Sequence, residues 1–400
     1  MNKQMRQFII NQCPDIEALK RILTRVQLKR IDHHFIPIPA EDIQLGEKDK
    51  KAKGRIVDKY FSDHKDKLEI MDRAIQCILD NSEAFKDYRD RDDVREDMLF
   101  RYLAYGFQPD EYLCYGLYNQ EPEVQKKWIS DYERYVIIYS INDIKDIMVF
   151  NNKVRTYEVF RDYYKRETIS IKTERDYPRF EAFAKKHPVF VKKLVYKGGG
   201  RSVELVDSRE SSLEDLFRKY IDGGECIIEE RIFQNQVMSA LNPSSVNTVR
   251  CITVNTRNGI RIPYTFLKVG RNGSFIDNGA AGGILVGINV QDGVADTIGY
   301  DEVMNTYTEH PDTKVQFMGY RFPQWDEMKA LCIKMAGMMP RVKCIGWDMA
   351  LCDDGWVVVE GNGETQFIGP QIVYRRGIKR ELMTLMDEVE PVIPIELKNQ

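Results

Sequence analysis

Gly346-Trp347-Asp348-Met349-Ala350-Leu351-Cys352-Asp353-Asp354-Gly355-Trp356-Val357-Val358-Val359-Glu360-Gly361-Asn362 reads as two β-rich runs on either side of a turn-forming Asp-Asp-Gly. With Asp353 to Gly355 as the loop, Cys352 pairs with Trp356, and counting outward sets Asp348 opposite Glu360. Side chains opposite each other on a ladder share a face, and Asn362, two residues beyond Glu360, shares it too. Carboxylates held roughly 5 Å apart repel, so such a pair costs stability unless a cation lies between them. An oxygen-only trio of Asp348, Glu360 and Asn362 suits Mg2+, which keeps waters and takes its remaining ligands from nucleotide phosphates. The competing reading is an exposed hairpin with scattered acids, and the spacing alone leaves both open.

Upstream, Phe190-Val191-Lys192-Lys193 closes an apolar run, and Gly198-Gly199-Gly200-Arg201-Ser202 follows shortly after it. A glycine loop between strands brings backbone N–H groups close to phosphate oxygens, while a lysine on the strand reaches the same phosphates. Glycine-rich hairpin loops are also common for purely structural reasons. No GxxxxGK[ST] loop occurs, and neither HRD nor DFG, which argues against P-loop and protein-kinase chemistry. Next, Ile227-Ile228-Glu229-Glu230-Arg231-Ile232 is an apolar run that turns acidic. Such an end offers backbone groups and a carboxylate to an adenine edge, or is an ordinary strand terminus.

Around these segments the pattern divides. Apolar positions recur at three- and four-residue steps from residue 16 to about 118, interrupted by a lysine-rich connector at 48–53 that reads as a solvated loop or a docking patch for acidic groups. A second helical stretch falls at about 152–166 and a C-terminal helix at about 370–388. Between them lie short β-rich runs at 189–196, 202–206, 226–232, 248–255, 261–269, 343–352 and 356–360, with turn chemistry at Asn258-Gly259, Asn272-Gly273 and Asp354-Gly355. The expected class is α+β, with antiparallel sheets behind a helical N-terminal region.

Composition sets the outer bounds. At 400 residues and 43% hydrophobic the chain can bury a substantial core over two or three domains. Its 59 basic and 62 acidic residues leave a net charge of -3, with no global pull toward nucleic acid or a membrane surface. Eight cysteines without a CxxC pair read as reduced thiols, and residues 1–10 are too polar for a signal peptide, so a cytoplasmic location is expected. No Ser/His/Asp or Cys/His nucleophile pattern stands out, and the histidines show no ligand spacing.

Taken in order, these pieces resemble the ATP-grasp superfamily, and most closely the sugar-transfer-associated ATP-grasp family found with bacterial polysaccharide biosynthesis. The resemblance runs from about residue 105 to 369. It is strongest in Leu241-Asn242-Pro243-Ser244-Ser245-Val246-Asn247-Thr248-Val249-Arg250, in Val269-Gly270 through Asp277-Asn278 to Gly282-Gly283, and in 346–362.

The resemblance implies a helical region at 1–120 and an ATP-grasp domain at 121–395, with a nucleotide lid at about 155–235 and a metal and acceptor subdomain at about 236–395. Lys153 and Lys192 look like the phosphate-holding lysines, Gly198, Gly199, Gly200 and Ser202 like the flap over the triphosphate, and Glu229, Glu230 and Ile232 like the adenine hinge. Gln236 stands where a ribose-binding glutamate is frequent, and Lys193 where many members have proline. Arg250, acting with Lys192, is similar to the arginine that steadies the transferred phosphoryl group. Asn247, Lys268, Asp277 and Asn278 look like acceptor-side residues, and Asp348, Glu360 and Asn362 like ligands of Mg2+.

The implied activity joins a carboxylate to an amine at the expense of ATP, through an acyl phosphate and with ADP released. A polysaccharide or sugar carboxylate and an amino acid or amine would be the substrates, other polysaccharide-building enzymes the partners, and nucleic acid is not expected. Two alternatives stay open: a kinase that phosphorylates a hydroxyl, and a non-catalytic ATP-binding subunit of a polysaccharide assembly complex whose helical region serves as the interaction module.

Overall fold

The computed structural model describes residues 10, 12–35, 38–81, 83–88, 91–196, 203–279 and 282–397. Short apolar runs, several of them buried on both faces, build two sheets, and every strand pairing in them is antiparallel. The smaller has the order β1-β4-β2-β3, from β1 (Thr168–Ile171), β2 (Val189–Leu194), β3 (Val203–Asp207) and β4 (Cys226–Glu230). The larger contains β5 (Thr248–Thr256), β6 (Gly259–Val269), β7 (Ile284–Ile288), β8 (Ala295–Tyr300), β9 (Thr306–Tyr307), β10 (Cys344–Cys352) and β11 (Gly355–Asn362), in the order β11-β10-β5-β6-β7-β8-β9. Before β1 every element is helical, so the α+β class with a helical N-terminal region holds.

Each sheet keeps one face for packing. Helices Tyr177–Lys186 and Leu213–Gly223 cover the smaller sheet, where Phe180, Phe183 and Phe217 meet Phe190 and Ile228. On the larger sheet, helix Trp325–Met338 packs against β5, β6 and β10. Trp347 is 0% and Trp356 2% exposed there, and their indole N–H groups donate to Thr253 Oγ1 and the Pro323 carbonyl. Burying a side chain of that size contributes up to about 5 kcal/mol, an upper bound because the unfolded chain already hides part of it. The helical region joins the larger sheet through a shared core in which Phe100, Leu113 and Tyr115 lie in one cluster with Phe266, Leu285 and Ile372.

The hairpin departs from its expected register in two ways that cancel. The turn is the two-residue Asp353-Asp354, and Cys352 pairs with Gly355, not Trp356. That register carries on through Met349 opposite Val358. A β-bulge between Asp348 and Met349 then absorbs Val359 as an extra residue, and beyond it Asp348 lies opposite Glu360 and Gly346 opposite Asn362. Trp356 and Val358 belong to the core, so strict alternation would drive Glu360 into the core as well. The bulge shifts the phase and turns Glu360 and Asn362 to the opposite face.

Other expectations need correction. The lysine-rich stretch is not a loop: helices Ala40–Lys48 and Lys50–Ser62 are separated only by Asp49, whose carboxylate accepts from the Lys51 N–H and so caps the second helix. The single C-terminal helix is two, Ile368–Tyr374 and Lys379–Met386, broken where Arg375 takes φ 50°. Strands β1, β7, β8 and β9 add to the expected set.

Candidate functional site

Alternation along four neighbouring strands assembles the site. Glu360 of β11 pairs with Asp348 of β10, Asp348 with Arg250 of β5, and Arg250 with Phe266 of β6, while Thr248 and Lys268 form the parallel row two residues along. These residues share one face of the large sheet, opposite the face packed by Trp347 and Met349. Glu360, Asp348, Arg250, Thr248 and Lys268 line the floor of a cleft of about 540 Å³, whose other wall is the uncovered face of the smaller sheet.

Cations balance the acids on that floor. Arg250 Nε lies 2.6 Å from Asp348 Oδ1, and one guanidinium NH2 group donates to Asp348 Oδ2 at 3.1 Å. Lys268 Nζ stands 3.1 Å from Asp348 Oδ2 and 3.9 Å from Asp277 Oδ1, and Lys153 Nζ is 3.7 Å from Glu360 Oε1. Burial raises the Asp348 carboxyl pKa, but Arg250 and Lys268 outweigh it and hold the group at about 2. Asp277 goes the other way: burial, with Asp348 adding to it, lifts its carboxyl above the usual range against Lys268. Its carboxylate accepts a hydrogen bond from Thr248. Gly283 is required beside it, because a Cβ there would stand 2.2 Å from the Asp277 carbonyl oxygen.

The expected trio therefore faces the cleft together, although its mutual repulsion is relieved by Arg250, Lys268 and Lys153 and not solely by a cation between the acids. Among the described residues no cluster of three His, Cys, Asp or Glu could hold a metal by itself. Asp348, Glu360 and Asn362 present oxygen donors of the kind Mg2+ takes, fewer than its six, so the set fits an ion completed by water and phosphate oxygens.

On the opposite wall, Val191, Lys193, Val203 and Glu229 line the cleft, and Glu230, Arg231 and Ile232 follow at the end of β4. Arg166 donates to Glu229 Oε2 at 2.7 and 2.9 Å, and Lys193 donates to the same oxygen at 2.9 Å. Burial opposes ionisation of Glu229, but these two cations keep its carboxyl at about 2.

Lys192 does not reach this wall. Phe190 fixes the strand's phase by entering the helix-covered core, so Lys192 follows it to that face, 3.3 Å from Glu204 and 5.5 Å from the centre of the Tyr220 ring. The cleft-facing lysine of β2 is Lys193. Lys193→Met is expected to raise the KM for ATP at least about ten-fold, the usual scale for losing one charge-assisted contact. Lys192→Met should leave it within about two-fold. Steady-state ADP release against ATP concentration checks both.

Lys153, Glu229, Glu230, Ile232, Arg250, Lys268, Asp277, Asn278, Asp348, Glu360 and Asn362 all line the one cleft, whereas Gln236 and Asn247 do not. Gln236 is exposed at the start of helix Gln236–Leu241. Asn247 is 0% exposed and donates to the Met238 and Asn242 carbonyls, which anchors the chain entering β5 and so aims Thr248 and Arg250. Gly198, Gly199, Gly200 and Ser202 lie outside the described residues.

Sequence reasoning missed several lining residues: Asp110, Arg134, Tyr135, Thr248 and Glu302. Arg134 stacks 3.7 Å from the centre of the Tyr135 ring and donates to Asp131 and to the Glu364 carbonyl. Burial first, then the charges of Asp110 and Asp301, push the Glu302 carboxyl up to about 7, with Lys268 opposing them.

Two antiparallel sheets that close on one cleft, with Lys193, Glu229 and Glu230 on one wall and Asp348, Glu360 and Asn362 on the other, make an ATP-grasp fold. The chain belongs to the sugar-transfer associated ATP-grasp family, whose model matches residues 133–387. Solved structures to which the chain is similar include N5-carboxyaminoimidazole synthetase from Staphylococcus aureus complexed with ADP, 14% identical over 74% of this chain and 70% of that one, with a TM-score of 0.44. D-alanyl-alanine synthetase A from Vibrio cholerae is 10% identical over 60% of this chain and 64% of that one, with a TM-score of 0.39. The ATP-grasp ligase PsnB, complexed with a phosphomimetic variant of its minimal precursor, Mg and ADP, is 14% identical over 62% of both chains, with a TM-score of 0.40. The chain spans about six tenths of the length of PsnB. No curated protein matches the sequence. Among the described residues no helix is long and apolar enough to cross a membrane.

Proposed function

We propose that this protein is an ATP-dependent, ADP-forming ligase that joins a carboxylate to an amine through an acyl phosphate. One observation carries the reading: a single cleft holds Lys193, Glu229 and Glu230 on one wall, Arg250 and Lys268 clasped on Asp348 at its floor, and the carboxylates Asp110 and Glu302, the latter within the electrostatic reach of Lys268. That set of charges suits a triphosphate, a transferred phosphoryl group and an ammonium.

In this mechanism a substrate carboxylate oxygen attacks the γ-phosphorus in line, and the bond to ADP breaks. Lys153 and Lys193 offset charge on the phosphates, while Arg250 holds the phosphoryl group during transfer and Lys268 orients the incoming carboxylate. Mg2+ held by Asp348, Glu360 and Asn362 would neutralise phosphate oxygens and stabilise charge on the leaving group. Ionised Glu302 takes one proton from the ammonium and frees the nitrogen lone pair, the amine attacks the acyl carbon, and the bond to phosphate breaks as the nitrogen's second proton leaves with inorganic phosphate. By family context the carboxylate belongs to a sugar or polysaccharide and the amine is an amino acid or a simple amine.

Hydroxylamine separates this reading from phosphorylation of a hydroxyl. Incubation of the enzyme, ATP, Mg2+ and a panel of uronic acids with hydroxylamine is expected to give a hydroxamate, because only an acyl phosphate is trapped by it. ADP release accompanied by a stable phosphate ester would overturn the ligase.

Glu302 also sets a pH dependence. Its carboxyl is raised to about 7, so it is neutral below that pH and ionised above it. Recognition of an ammonium and acceptance of its proton both need the ionised form. The kcat/KM for the amine should therefore climb about ten-fold per pH unit below 7 and level off above it. Glu302→Gln should flatten that limb, and an unchanged profile in the variant would remove Glu302 from the amine end.

A further inference from the structure

We infer that the outer face of helix Glu17–His34 is a docking surface for an anionic membrane, with the helix lying along the surface and not crossing it. The inference is independent of the ligase reading. Positions 21, 22, 25, 26 and 29 follow helical spacing down one side of this helix and place Arg21, Ile22, Arg25, Val26 and Lys29 together, all exposed. Ile22 is 55% and Val26 51% exposed. The opposite side is inverted in polarity: Lys20 is 4%, Thr24 0% and Gln27 7% exposed, buried with Ile31 against the rest of the protein.

A helix shaped only by packing would turn Ile22 and Val26 inward and leave Lys20 in water. Here Lys20 is held inside by Asp15 at 2.7 Å, Glu17 at 2.9 Å and Asp143 at 3.1 Å. Among the described residues no carboxylate pairs with Arg21, Arg25 or Lys29; of the acids at the two ends of that row, Glu17 accepts from Lys20 at 2.9 Å and Asp32 from the Tyr132 hydroxyl at 2.9 Å. The outer face thus combines apolar side chains with unneutralised cations in alternating rows. A bilayer of anionic lipids meets both demands: phosphates for the cations and acyl boundary for Ile22 and Val26. A soluble polyanion meets only the first.

The test uses the full-length protein and vesicle co-sedimentation. Phosphatidylcholine vesicles containing phosphatidylglycerol are expected to pellet the protein, pure phosphatidylcholine vesicles are not, and added salt should release it. Each cation near such a surface contributes about a five-fold increase in partitioning, so Arg21→Glu with Arg25→Glu should lower it about thirty-fold or more. Ile22→Ser with Val26→Ser should lower it about ten-fold. All four substitutions are on the surface, so circular dichroism and thermal unfolding should match the parent. Equal pelleting by neutral vesicles, no pelleting at all, or indifference to either pair of substitutions would overturn the inference. Loss of pelleting with the arginine pair alone, together with undiminished heparin binding by the Ile22→Ser and Val26→Ser protein, would assign the face to a soluble polyanion and overturn it equally.

Discussion

Glu360→Ala is expected to lower kcat for ADP formation at least about a thousand-fold while leaving the fold in place, since removing preorganised charge stabilisation at a transferring phosphoryl group costs that much. Stability should change little. Among the described residues Glu360 pairs with Lys153 at 3.7 Å, and the Glu360 side chain is 35% exposed. Partly exposed pairs of that kind contribute about 1 kcal/mol or less. Turnover assays paired with thermal unfolding make the comparison, and calorimetry of ATP binding with and without Mg2+ adds a second readout. Near-normal turnover in the variant would remove Glu360 from the metal face, and with it the hairpin as a holder of Mg2+.

Arg250→Ala should damage both activity and stability. Arg250 is the main partner of a buried carboxylate, with Nε 2.6 Å from Asp348, and Lys268 alone would remain to balance that charge. Breaking a buried pair by removing one member typically costs about 3–5 kcal/mol. An arginine that stabilises phosphoryl transfer is worth about 10³ or more in kcat. Arg250→Lys keeps the charge but not the planar fork, so it should recover part of the stability and little of the rate.

The pH dependence follows from the sign of the Asp348 shift. Its carboxyl sits at about 2 in the folded protein against an ordinary 3.8, so its contribution to stability is present above about pH 4 and is lost as pH falls toward 2. Without Arg250 the depression shrinks, and acid unfolding should begin at higher pH than in the parent. An unchanged acid midpoint would mean that Lys268 alone holds the carboxylate.

The hairpin was legible because turn residues and β-branched runs are local signals, and so was the pairing of Asp348 with Glu360. The route to that pairing was not. A bulge leaves no mark in a run such as Val357-Val358-Val359, where each residue is an equally good strand former and any of them could be the extra one. The choice between Lys192 and Lys193 was hidden for a related reason: both faces of β2 are buried at Phe190 and Val191, so the apolar pattern carries no phase. The stretch Leu241 to Arg250, read as a family motif, is partly scaffolding, since Asn242, Ser245 and Asn247 bond to one another and to nearby carbonyls. Asp110, Arg134 and Glu302 come from segments far apart in the chain and share no local pattern, and only the tertiary fold brings them to one wall.

The extra residue at Val359 divides the hairpin into two regions with separate obligations. On the turn side, Trp356 and Val358 answer to the core; on the far side, Glu360 and Asn362 answer to the cleft. Regular pairing with Val359 taken into the ladder would leave the hydrophobic half seated and swing both oxygen donors toward the tryptophans, whereas deletion of Val359 would set Glu360 directly after Val358, opposite Asp348 and still facing the cleft. The loop at Asp353-Asp354 lies on the turn side of the bulge, so a change in its length need not alter the pairing of Asp348 with Glu360 at the base.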